Sequence, residues 1–210
     1  MTKSKKFLSI FLSLLMCLSC FATAFTALAA DTIEYEEDIE AAVALAESQP
    51  VVPDKGTNIS TFATSGTYPT RKGVILSTNT NASLGGATFV GHAAIIYNSS
   101  TVVESLSKGV TTGKNNWNTT KSKCWGVTVK GTTTAQDASA ANWCYNKIGK
   151  PYNYIFTNVS TREKFYCSQL VWASFKDLYG IDLNTSTLGS IVTPMELVNT
   201  DKTSVIYSKS

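Results

Sequence analysis

The stretch from Cys167 to Tyr179 places the strongest constraint on the fold. Leu170, Val171, Trp172, Phe175 and Leu178 give it a broad apolar stripe at helical spacing, and Gly180 supplies the left-handed residue that commonly follows a helix end. A stripe of that width has to be buried against another layer. The segments before it read as strands. Gly73-Val-Ile-Leu76 is an apolar run of strand length, and Val90 to Tyr97 and Thr101 to Thr111 are rich in β-branched residues around the turn composition Asn98-Ser-Ser-Thr101. These two read as a hairpin, and Trp125 to Lys130 as a further strand. A second helix is announced by Thr134-Ala-Gln-Asp137, a capping box with Asp in place of Glu, and is stopped by Gly149 and Pro151. From Arg71 onward the pattern predicts a packed α+β domain.

The start of the chain is an address. Lys3, Lys5 and Lys6 precede an apolar run from Phe7 to about Phe25, and Ala27-Leu28-Ala29 offers the small residues that a signal peptidase requires. Residues 1–30 are therefore expected to be a signal peptide cleaved after Ala29 or Ala30, taking Cys17 and Cys20 with it; an uncleaved membrane anchor is the alternative. The expected product is secreted or associated with the cell envelope. About 180 residues remain, enough for one domain with a substantial core.

Charge divides what is left. Residues 31 to 67 carry eight acids against Lys55, a net of −7, while 68 to 210 carry fourteen Lys or Arg against seven acids, a net of +7. The acidic stretch, with Ile39, Val43 and Leu45 in an Ala-rich run broken by Pro50 and Pro53, is either a helix docked on the basic domain as a removable pro-segment or a solvated tether. Few apolar anchors and a high charge favour the tether.

The single histidine, His92, decides the chemistry open to the chain. A thiol is a nucleophile as the thiolate, which a helix N-terminus favours through its free N–H groups and dipole, and Cys167 heads a helix. An imidazole beside it would hold the ion pair and return the proton to a leaving group, and His92 is the one candidate. Glu104, twelve residues further on, could orient that ring from the other arm of the hairpin. The parity is specific: a two-residue connection places Glu104 on the opposite sheet face from His92, so the pairing requires an odd-length loop or a bulge. Taken singly, a Cys in an aromatic run, a His on a strand and a Glu on a hairpin are each more often packing or solvated residues. Their combination carries the argument.

Gly91-His92-Ala-Ala-Ile95, Val103-Glu104-Ser105, Ile148-Gly-Lys-Pro-Tyr152, Phe165-Tyr-Cys-Ser-Gln-Leu-Val-Trp172 and Thr193-Pro-Met-Glu-Leu197 together resemble the circularly permuted papain-like amidases of the YaeF/YiiX type, themselves similar to NlpC-type cell-wall peptidases and to lecithin:retinol acyltransferases. The resemblance covers about residues 70 to 207. It implies a permuted papain-like core, with the Cys167 helix packed on a small antiparallel sheet, and assigns nucleophile, base and orienting residue to Cys167, His92 and Glu104. One departure is Lys72-Gly-Val74, where the family usually shows Gly-Asp; this bears on loop structure or substrate contacts more than on the triad.

The expected activity is a secreted cysteine amidase or peptidase working through a thioester on cell-wall peptidoglycan or peptides. Backbone N–H groups of Cys167 or Ser168 would hold the oxyanion, with Tyr166 and Tyr152 as further substrate or oxyanion contacts. A lipid acyl-ester hydrolase or acyltransferase, and a binding module without turnover, are the alternatives. A domain of net +7 should favour anionic surfaces, wall polymer or acidic lipid. The absence of zinc-ligand spacing, phosphate-cradling glycine loops and nucleic-acid motifs leads to no expected metal, cofactor or nucleic-acid partner. Cys124 and Cys144 could pair or remain two buried thiols.

Overall fold

A six-stranded antiparallel sheet with its longest helices over one face organises the described residues. The computed structural model describes residues 40–56, 65–80, 82–84, 87–89 and 91–210. In chain order the elements are a helix over residues 40–48 (α1), then β1 (Ile75–Thr78), β2 (Ala82–Leu84), β3 (Ala87–Phe89), β4 (His92–Asn98), β5 (Thr101–Leu106) and β6 (Gly109–Lys114). There follow α2 (Trp117–Thr120), β7 (Cys124–Val129), α3 (Thr134–Tyr145), α4 (Cys167–Tyr179), α5 (Glu196–Asn199) and β8 (Thr203–Lys209). The main sheet runs β6-β5-β4-β1-β7-β8, and β2 pairs with β3 separately. No helix among the described residues is long and apolar enough to cross a membrane.

Strand alternation splits the core in two. Ile75, Ala93, Ile95, Val103, Trp125 and Val127 face the helical layer, where they meet Ala140, Cys144, Leu170, Val171 and Phe175 of α3 and α4. Leu76, Ala94, Ile96, Val102 and Cys124 point the other way, against Trp117 and Tyr207. The Cys167 helix has the limits its apolar stripe indicates, closed by Gly180 at φ 68° with its N–H donating to Lys176 O. Cys124 and Cys144 thus sit in separate clusters, both as free buried thiols.

Three expectations need correction. The run Thr101 to Thr111 is two strands, β5 and β6, joined by a turn at Ser107 and Lys108 that its β-branched composition conceals. The second helix is capped one residue early, by a reciprocal Thr133–Gln136 box, and ends at Tyr145. Asp137, read as part of the cap, is fully buried and accepts from Thr132 Oγ1 at 2.5 Å, Arg71 Nη1 at 2.9 Å and Lys55 Nζ at 3.1 Å.

That last contact overturns the solvated-tether reading for residues 42–56. Ala42–Ser210 form one compact unit, with Ala46 buried in the main core and Val43 and Val51 packed on it. Val52 N–H donates to Val205 O at 2.8 Å, laying this strap along the free edge of β8, and Ser208 N–H donates to Ser65 O at 2.9 Å on the same edge. Asp54 takes a two-pronged grip from Arg71, at 2.7 and 2.8 Å. A covered edge strand is protected from pairing with another chain. Ile39, Val90 and the leader lie outside the described residues.

Candidate active site

The β4–β5 connection is the two-residue turn Ser99–Ser100, and the register shifts between Ile96 and Asn98, so a bulge at Tyr97 intervenes. The bulge restores the parity that the His–Glu pairing demands. Ala94 lies opposite Glu104, which makes His92 the diagonal neighbour on the same face, and His92 Nε2 and Glu104 Oε2 stand 2.6 Å apart. Both side chains are sequestered, 7% and 12% exposed.

Gly91 turns the chain into β4 with φ 102°, and a Cβ there would fall 2.5 Å from Thr78 O. The Gly-His order is thus a backbone requirement: the residue before the base has to be glycine for β4 to enter beside β1.

Cys167 is 2% exposed at the first turn of α4, where backbone N–H groups have no intrahelical acceptor. Its sulfur stands 4.0 Å from the Ser168 hydroxyl oxygen, and the His92 imidazole and the Ala93 N–H are near enough to act on it electrostatically. Since Nε2 of His92 faces Glu104, Nδ1 is the ring nitrogen left for the sulfur. Burial pushes the thiol up, and the imidazole, with the Ala93 N–H, more than offsets it, leaving Cys167 below its ordinary value. Burial likewise opposes the imidazolium, but Cys167 and then Glu104 raise His92 from its ordinary 6.5 to about 9. The two shifts have the signs that a thiolate–imidazolium pair requires.

Several residues that sequence reasoning passed over hold this pair in place. The Trp117 ring stacks on His92 with centroids 5.4 Å apart, and its backbone N–H donates to Tyr68 OH at 2.9 Å. Gly113 on β6 gives Glu104 its space, for a Cβ there would lie 2.0 Å from Oε1. Ser105 donates to Phe165 O at 2.6 Å, tying the Glu104 strand to the segment that leads into Cys167. Nothing in the sequence pattern marks Gly113 or Trp117, because their partners lie on neighbouring strands.

The secondary candidates divide. Tyr152 packs on Cys167 and Tyr166, and its buried hydroxyl finds no partner among the described residues. The Tyr166 hydroxyl accepts from Val192 N–H at 3.0 Å, and Ser168 Oγ donates to Val192 O at 2.7 Å. Both of these side chains are engaged in anchoring a loop, so Ser168 offers the site its backbone N–H rather than its hydroxyl. Burial raises both tyrosines, with the nearby sulfur adding to the effect.

A family model described as permuted papain-like amidase enzyme, YaeF/YiiX, C92 family, matches residues 69–206. The chain belongs to the permuted papain-like amidase family. As a member it is an amidase- or peptidase-type hydrolase, and its mixed α/β architecture is the papain-like fold of that family. Among solved structures, the crystal structure of the metalloprotein YiiX from Escherichia coli O157:H7 aligns at 15% identity and a TM-score of 0.47, over 65% of this chain and 96% of that one. No curated protein matches the sequence. Among the described residues, no group of three or more His, Cys, Asp or Glu side chains is placed to hold a metal ion.

Proposed function

We propose that this chain is an exported cysteine amidase that opens an amide or peptide bond of cell-wall peptidoglycan or its peptides through a thioester. The observation that carries this reading is a buried helix-start thiol under the electrostatic influence of an imidazole that a carboxylate grips at 2.6 Å. Export rests on the basic and apolar leader ending in Ala27-Leu28-Ala29, and a wall substrate on that leader taken with the family.

Cys167 Sγ attacks the carbonyl carbon, and the oxyanion is held by the helix-start N–H groups of Cys167 and Ser168, with the unpartnered Tyr152 hydroxyl as a further donor. His92, already protonated by the thiol, gives its proton to the departing nitrogen as the C–N bond breaks, while Glu104 steadies the imidazolium. Water then attacks the thioester as His92 takes its proton, and the carboxylic acid leaves as the thiol is restored.

Incubating the protein with purified peptidoglycan and with phospholipid vesicles, beside Cys167→Ala, tests this. Peptides released by the wild type alone support the amidase. Released fatty acid would transfer the site to a lipid ester, a reading favoured by the apolar surroundings of Tyr152, Tyr166 and Cys167, which Phe156, Val159 and Ile191 extend. Binding indifferent to the substitution, with no turnover, would leave a binding module.

A further inference from the structure

The relation between nucleophile and base depends on a segment that contributes no group to the chemistry. Residues 192–194 touch both sides of the pair. Val192 accepts from Ser168 Oγ and donates to the Tyr166 hydroxyl, gripping the residues that flank Cys167. Two residues on, Pro194 O accepts from Ser77 Oγ at 2.7 Å, and Ser77 is the strand partner of Ala93, next to His92. The Pro194 ring also stands 3.4 Å from where a Gly91 Cβ would lie, on the other side of His92. One short segment is thereby keyed into the start of α4 and the start of β4.

What holds the segment is Glu196. Its side chain is 5% exposed, and no cation is placed against it by any ion pair among the described residues. Oε2 accepts from Thr193 N–H at 2.8 Å, while Thr193 Oγ1 accepts from Glu196 N–H at 3.2 Å, a reciprocal box that fixes the turn entering α5. Oε1 accepts from Thr185 Oγ1 at 2.6 Å, Thr187 N–H at 3.2 Å and Thr185 N–H at 3.3 Å, which ties down the far end of the 184–193 loop. A carboxylate that closes a loop at both ends restricts the middle, and the middle carries Val192.

We propose that Glu196 is a positioning residue for the Cys167–His92 pair, acting through Val192 and Pro194. The proposal rests on the reading of Cys167 as the nucleophile. It gives the Thr193-Pro-Met-Glu-Leu197 block a physical role: Pro194 faces Gly91, Glu196 locks the loop, and Leu197 is buried in the core.

The test is iodoacetamide alkylation of the full chain across pH, with Cys167 followed by peptide mapping, alongside a melting curve for each variant. Wild-type Cys167 reacts well below the pH at which an ordinary thiol ionises. Glu196→Gln, which keeps one acceptor oxygen, and Glu196→Ala, which keeps none, shift the profile upward in that order, with about a tenfold loss of rate at pH 6 for Ala, the equivalent of one pKa unit. Ser77→Ala, which cuts the Pro194 link and leaves Glu196 intact, shifts it in the same direction. Val205→Ala on β8, buried but taking no part in the hydrogen bonds of Glu196, Val192 or Pro194, lowers the melting temperature without moving the profile. Glu196 variants that fold and keep the wild-type profile would overturn the proposal, as would an equal shift in Val205→Ala. A wild type unreactive at low pH removes the nucleophile reading itself and the proposal with it.

Discussion

At the scale of single residues, the site is a balance between burial and pairing. Dry surroundings disfavour both charges, yet Cys167 and His92 stabilise each other's ionised form and Glu104 adds to the imidazolium. The sign of each shift sets a pH window. With Cys167 depressed, the thiolate persists below the ordinary thiol range; with His92 raised to about 9, the proton needed by the leaving group is lost only as pH climbs through that value. Amide turnover should therefore hold a plateau across neutrality and decline above about pH 9. His92→Ala should return Cys167 alkylation toward ordinary thiol behaviour, which a rate-against-pH curve reads directly; an unchanged curve would break the pairing. Tyr152→Phe removes a buried hydroxyl with no partner and so should cost little stability. If that hydroxyl meets the oxyanion, kcat should fall by about 10²-fold or more with melting temperature preserved.

At the scale of elements, the pairing of β4, β5 and β6 determines whether Glu104 reaches the base. Gly113→Ala inserts a methyl where Glu104 Oε1 stands, so the strand should persist while the carboxylate swings away. The expected outcome is a destabilisation of about 1–3 kcal/mol by melting, together with a Cys167 profile displaced in the same direction as that of Glu104→Ala. How far the sequence discloses these elements varies with how local the cause is. The α4 helix is readable because its stripe and Gly180 lie within fourteen residues of one another. The Tyr97 bulge is readable as a condition, since parity alone requires it if His92 and Glu104 meet. The β5–β6 turn is hidden because Ser107-Lys108-Gly109 interrupts a run otherwise suited to one strand. The roles of Gly113, Trp117 and Glu196 are hidden because each depends on a partner brought close by folding.

At the scale of the whole molecule, the acidic stretch shows why composition misleads. Its charge suggests a solvated tether, but three small apolar residues, Ala46, Val51 and Val52, reach the core, and Asp54 and Lys55 join Arg71 around the buried Asp137. Asp137 serves two cations from inside, so Asp137→Asn should leave them under-compensated and cost about 3–5 kcal/mol in denaturant unfolding. Beside a variant beginning at Ala42, one beginning at Gly56 should melt lower and associate through the more exposed edge of β8. Equal melting of the two would show that the strap is dispensable. The stack of Trp117 on the protein's one imidazole has a consequence for spectroscopy: the indole ring current should displace a single, unambiguous set of His92 resonances from random-coil positions, so that proton NMR can follow the state of the base through a titration before any substrate is found.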